Sequence, residues 1–120
     1  MTLHDLEVYQ LARELGKESW RIYRRFDWQT RKIIGDQWIE AVDSVGANIA
    51  EGFGRFHYLD KNKFNYNARG SLDEGMHWTE LLGEREIITQ EETQILLRRI
   101  AQLHVKLNNF ILSTKNQVHS

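Results

Sequence analysis

Ser44-Val45-Gly46-Ala47-Asn48-Ile49-Ala50-Glu51-Gly52-Phe53-Gly54-Arg55 runs from an apolar-striped segment into two glycines and an arginine among aromatics. Glycine enters left-handed backbone at no steric cost, so Gly52 or Gly54 is expected to close a helix in that conformation and let the chain reverse. The stretch predicts a hairpin between two helices. Upstream, Ile34, Trp38, Ala41, Val45, Asn48 and Ile49 share one helical side, and Asp27 can accept an amide bond at the start of that helix.

Further out, Leu6, Tyr9, Ala12, Leu15, Ser19, Ile22 and Phe26 recur at three- and four-residue steps, widened by Val8 and Leu11, and predict a first helix from about Leu3 to Arg25. A third helix is expected from near Asp60 through Phe64, Ala68, Ser71, Trp78 and Leu82. Asn62, Asn65, Asn67, Gly70 and Gly75 are weak helix formers, so tertiary packing must support it. Thr89-Gln90-Glu91-Glu92 has capping-box spacing and starts a fourth helix, in which Leu96, Ile100, Leu103, Leu107 and Phe110 form a packing seam. Four long helices with short connections imply an all-α, antiparallel up-down-up-down four-helix bundle. It forms one domain over 1–120, with fraying expected over 116–120.

Composition agrees. The 120 residues include neither cysteine nor proline. The first absence leaves no disulfide framework, thiolate metal site or cysteine nucleophile and fits a reducing cytosol; the second favours long helices over a sheet. No apolar run approaches the roughly 20 residues that cross a bilayer, and the N-terminus lacks the regions of a signal peptide, so a cytoplasmic chain without membrane contact is expected. Sixteen basic residues against seventeen acidic ones argue against a globally basic nucleic-acid binder. The charges segregate, however: Asp73, Glu74, Glu80, Glu84, Glu86, Glu91 and Glu92 face only Arg85, whereas Arg98, Arg99, Lys106 and Lys115 follow without an acid.

Catalytic constellations are not apparent. The five histidines show no pair at helical ligand spacing, so no metal or other cofactor is expected. Gly52-Phe53-Gly54 follows a helix and precedes no Gly-Lys-Ser/Thr, so it is not a phosphate loop. Asn48 and Glu51 sit in a small, apolar stretch. Either Asn48 bonds to backbone and Glu51 pairs with Arg55 or Arg69, fixing the turn, or Glu51 and Arg55 belong to a ligand site at the bundle end. Arg13, Lys17, Arg21 and Arg24, with Arg25 adjacent, form a line of positive charge that either tracks phosphates or is solvated and paired with Glu14 and Glu18. Around the hairpin, Phe53, Arg55, Phe56, His57, Tyr58, Lys61 and Lys63 either stack bases and hold phosphates of a single strand or seal the core. Trp20, Trp28, Trp38 and Trp78 are expected mostly in the core, with one or two as subunit anchors.

Gln37, Ala41, Ser44, Ala47 to Arg55, Phe64 and Ala68-Arg69-Gly70-Ser71-Leu72-Asp73-Glu74 together resemble the bacterial four-helix-bundle family related to ribosomal RNA intervening-sequence proteins, and Leu6 to Ala12 looks like that family's first-helix start. In this resemblance Asn48, Glu51, Gly52, Gly54, Arg69 and Ser71 form the structural signature. It implies a ring-like homopentamer associated with nucleic acid and no enzymatic activity. It also implies kinship with the accessory variability determinant of diversity-generating retroelements, which binds nucleic acid and a reverse transcriptase. Ile39 and Glu40 stand where many relatives carry a basic pair, and Gly46 where many carry proline.

The expectation is therefore a non-catalytic, oligomeric bundle binding RNA or DNA through phosphate contacts from Arg13, Lys17, Arg21, Arg24 and Arg25, assisted by Arg55, Lys61 and Lys63. The alternative is a protein-interaction scaffold or adaptor for a nucleic-acid enzyme such as a reverse transcriptase. Glu51→Gln, followed by thermal unfolding and by RNA titration, separates the two roles of the signature: lost affinity at unchanged stability assigns Glu51 to a ligand site, and lost stability assigns it to the turn.

Overall fold

Stripes of apolar residues at three- and four-residue steps need partner surfaces. In a computed structural model, which describes residues 1–117, four helices supply them to one another. Helix α1 spans Glu7–Tyr23. Helix α2 begins with Trp28–Thr30, continues through a π-helical stretch Arg31–Gly35, and runs as α-helix over Asp36–Phe53. Helices α3 and α4 span Tyr58–Glu84 and Gln90–Asn116. Each helix packs antiparallel on the next, and α1 packs on α4 to close an up-down-up-down bundle. The molecule measures 50 × 22 × 21 Å, as expected when 27-residue helices of about 40 Å set its length.

The core is built from Val8, Ala12, Leu15 and Ile22 of α1, Ile34, Trp38, Val42, Val45 and Ile49 of α2, Ala68, Leu72 and Leu82 of α3, and Leu96, Ile100, Leu103, Leu107 and Ile111 of α4. Trp38 is fully buried, and its indole N–H donates to Thr79 Oγ1 at 3.1 Å, while the Thr79 hydroxyl donates to the Gly75 carbonyl at 2.7 Å. Asn62 and Asn65, weak helix formers in α3, are buried because they serve the packing. Asn62 Nδ2 donates to the Ile111 carbonyl at 3.2 Å, and Asn65 Nδ2 donates to Asn62 Oδ1 at 3.0 Å. The capping box at Thr89 is present in both directions: Glu92 N–H donates to Thr89 Oγ1 at 3.0 Å and Thr89 N–H to Glu92 Oε1 at 2.9 Å.

Several expectations need correction. The first helix does not run unbroken from Leu3: Leu3–Asp5 is a 3-10 turn, closed by Thr2 N–H donating to Asp5 Oδ2, and Leu6 is extended before α1 begins. No described glycine has a positive φ, so neither Gly52 nor Gly54 uses left-handed backbone. Gly54 ends α2 with φ −76° and ψ −8°, and the one described residue with positive φ is Glu86, in the α3–α4 turn. The role of Gly52 is close approach instead. A Cβ there would stand 3.0 Å from the Lys61 carbonyl oxygen and 3.1 Å from Phe64 Cβ. Half the tryptophans leave the core, with Trp20 53% and Trp28 73% exposed. Helix α4 is helical through Asn116 with Gln117 at its C-cap, and residues 118–120 of the stretch expected to fray lie outside the described residues.

Contact of Gly52 with rigid backbone makes Gly52→Ala destabilising by about 1–3 kcal/mol despite alanine's better helix propensity. Gly54→Ala, with its nearest neighbour at 3.6 Å, should leave the urea midpoint nearly unchanged. Equal midpoints for the two variants would refute the close-approach role.

Candidate nucleic-acid interface

The two flanks of α1 are used differently. Toward α4, Glu7 meets Lys106 at 3.1 Å, Glu14 meets Arg99 at 3.6 Å, and Arg25 meets Glu92 at 2.5 Å. Arg13, Lys17, Arg21 and Arg24 are exposed, with Lys17 and Arg21 beside this seam, where they share a pocket with Glu14, Glu18 and Arg99, and Arg13 toward α2. Arg21 pairs with Glu18, and Arg13 Nη1 donates to the Tyr9 hydroxyl at 2.9 Å. Among the described residues, Lys17 and Arg24 have no ion-pair partner. The Arg24 carbonyl accepts from Arg31 Nη2 at 3.0 Å, and the Arg31 guanidinium lies 4.7 Å from the centroid of the Tyr23 ring. Tyr23 in turn donates to Asp36 Oδ1 at 2.6 Å, a bond that holds its phenol above the ordinary range. The π-helical turn makes room for this arrangement: Asp36 N–H reaches back to the Arg31 carbonyl, and Gly35 is pressed against Phe26 and Tyr23.

At the hairpin the signature residues make mainly local contacts. Asn48 Nδ2 donates to the Ser44 carbonyl at 2.9 Å, and Glu51 pairs with Arg55 at 2.6 Å, not with Arg69. Arg69 instead crosses to α4, donating to Asn108 Oδ1 at 3.1 Å while covering the Tyr66 ring. Ser71 is half-buried on α3. Arg55 lies over Phe64, and Lys61 donates to the Phe53 carbonyl at 3.2 Å, so both cations are partly occupied; Lys63 is exposed. The aromatics do not all seal the core, because Phe56 is 92% exposed and Tyr58 36%.

The bundle separates these two groups. Arg24 and Arg25 lie where α1 hands over to α2, whereas Arg55, Lys61 and Lys63 lie at the opposite end of α2, so one protomer does not join these five into a single site; Arg13, beside Ala47 and Ala50, lies nearer the hairpin. Residues not singled out from the sequence also matter. Val105 and Leu112, seven apart on α4, are 58% and 56% exposed on one face. A groove of about 360 Å³ between α1 and α2 is lined by Arg13, Lys17, Trp20 and Asp43. Asp43 was hidden because its significance depends on the register of two helices. A larger cavity of about 650 Å³ at the α3–α4 turn has Glu80, Glu84 and Glu86 on its walls, away from the basic line. Among the described residues no cluster of histidine and carboxylate side chains could hold a metal ion, and no helix is long and apolar enough to cross a membrane.

These features define an antiparallel four-helix-bundle protein with an exposed basic flank on its first helix. The chain belongs to the 23S rRNA-intervening sequence protein family, whose model matches residues 4–109 and thus reaches well into α4. It is similar in fold to a crystallised protein of unknown function from the S23 ribosomal protein family of Bacteroides thetaiotaomicron VPI-5482. That likeness has a TM-score of 0.81 and 23% identity, and it covers 87% of this chain and 97% of the other. Among curated proteins, none matches this chain.

Glu92 ties the basic line to the fold. Burial raises its carboxyl, but bonds from Thr89 and Arg25 outweigh this and hold it below the ordinary value of 4.5. A depressed carboxylate contributes stability above its unfolded pKa and loses that contribution as pH falls through the folded value. Arg25→Ala should move the Glu92 titration upward, as read by carboxyl NMR, and should cost no more than about 1 kcal/mol because the arginine is exposed. An unmoved titration would show that Arg25 does not engage Glu92 in solution.

Proposed function

We propose that this protein is a non-catalytic, cytoplasmic, oligomeric bundle that binds RNA or DNA through phosphate contacts. One observation carries this reading: Arg13, Lys17, Arg21 and Arg24 are all exposed along α1, while two of its acids, Glu7 and Glu14, are engaged with Lys106 and Arg99 of α4. Arg25 is the weaker member of the line, since Glu92 holds it. Lys63, and to a lesser degree Arg55 and Lys61, offer a second contact at the hairpin, beside the exposed Phe56. Assembly as a ring-like homopentamer is part of this proposal, and repetition there multiplies weak patches through effective concentration.

A second reading, an adaptor for a protein such as a reverse transcriptase, draws on the exposed Val105 and Leu112 and on the near-zero net charge. Light scattering combined with titration of a labelled single-stranded RNA at low and moderate salt distinguishes them. Four phosphate contacts predict a log-log salt slope of about −3, at about 0.7 per contact. Replacing Arg13, Lys17, Arg21 and Arg24 together by glutamine should remove most of that slope. A mass of five protomers of 14.3 kDa is expected. Affinity that ignores salt would overturn the phosphate-binding reading in favour of the adaptor.

A further inference from the structure

Gly16 of α1 and Gly46 of α2 sit inside helices and face the same groove. Glycine in a helix interior costs roughly 0.5–1 kcal/mol relative to alanine. Close packing does not demand it at either position. A methyl group on Gly16 would meet Asp43 Oδ1 at 3.7 Å, and one on Gly46 would meet Ala12 Cβ at 3.7 Å, both ordinary contact distances. At Gly52 and Gly83, by contrast, the nearest atoms would stand at 3.0 and 2.6 Å. The effect of glycine at 16 and 46 is to keep a groove of about 360 Å³ open, within the size range of small-ligand sites.

The walls of this groove carry complementary chemistry. Trp20 is half-exposed and steadied by stacking on Tyr23, with ring centroids 5.2 Å apart and planes inclined by 24°. Arg13 is oriented by the Tyr9 hydroxyl, and Lys17 is free of ion pairs among the described residues. Asp43 stands at the groove mouth with no hydrogen bond or ion pair among the described residues. Although accessible, it has lost enough water to its surroundings that burial pushes its carboxyl up. A carboxylate in that position is best satisfied by a ligand that brings N–H donors.

From this juxtaposition we infer that the α1–α2 groove takes one unstacked guanine, its ring against Trp20, its N1–H and N2–H donating to Asp43, and its flanking phosphates on Arg13 and Lys17. The inference rests on the single-strand binding proposed above. It adds a base preference to a surface that phosphate contacts alone would leave indifferent to sequence. Guanine is selected by donor count. It presents two adjacent N–H groups on its Watson–Crick edge, uracil presents one, and adenine and cytosine set a ring acceptor beside their amine, facing the carboxylate.

The test uses the full chain, a labelled oligouridine, the same strand with one central guanine, and guanosine 5′-monophosphate alone. The guanine strand should bind about tenfold tighter, in line with the discrimination of a bidentate base contact. Asp43→Asn should erase that difference while keeping affinity for oligouridine, and the mononucleotide should shift the Gly16 and Gly46 amide resonances. Equal binding of both strands with unmoved glycine resonances overturns the guanine site and leaves phosphate binding standing. If neither strand binds but the mononucleotide still shifts both glycines, the site stands and the strand-binding reading fails. Gly46→Leu supplies a second check by filling the groove. If it changes the oligomer mass without touching guanine preference, the groove seats a second copy of the chain and the inference is wrong.

Discussion

Close approach along the α2–α3 seam is the constraint on which the bundle depends. At one end, Gly52 lets α2 rest on the backbone of α3 at Lys61. Toward the other end, Trp38 inserts its indole against α3 and must place an N–H where water cannot reach it. Thr79 Oγ1 accepts a hydrogen bond from that N–H and its hydroxyl donates to the Gly75 carbonyl, so a group that would cost about 1–3 kcal/mol unpaired is satisfied within the seam. Helix α3 is poor in intrinsic propensity, and Asn62, Asn65, Gly70 and Gly75 are tolerated because packing holds the helix in place. Helix α4 is joined to α3 by the Asn62 bond to the Ile111 carbonyl, and α1 covers the remaining side of the core.

Closure by α1 also determines the electrostatics. Its acids at seven-residue spacing, Glu7 and Glu14, meet Lys106 and Arg99, which are also seven apart on α4. Opposite charges in register along a seam steer two helices into one alignment more than they stabilise it. The consequence is that Glu7 and Glu14 already have partners on α4 and so offset the exposed cations of α1 less. A chain whose total charge is near zero therefore presents a basic flank, with an acidic-walled cavity at the α3–α4 turn.

Features set by nearby residues were legible in the sequence. Apolar periodicity located all four helices, the Thr89 capping box depends on residues three apart, and the Glu51–Arg55 pair joins residues four apart on one helix. What escaped was set by distant partners. The chain breaks at Leu6, the π-helical turn forms where Gly35 meets Phe26 and Tyr23, and the left-handed residue is Glu86 in a turn defined by α3 and α4. The same division runs through the site. The basic line on α1 was visible, but its pairing of Arg25 with Glu92 and its neighbour Asp43 were not, because both require knowing which faces of separate helices meet.

The π-helical turn at Arg31–Gly35 has a consequence for how this chain can vary in length. Such a turn holds one residue more than the α-helix around it, so it is the place in α2 where a deletion restores a regular ladder without breaking one. Losing that residue would turn the part of α2 before it by about 100° about the helix axis relative to Trp38, with the α1–α2 connection absorbing the change. Trp28, now 73% exposed, and Ile33 would swing to a new side of the bundle while the core past Asp36 kept its register. Chains differing by one residue here would share a scaffold and present different outer faces.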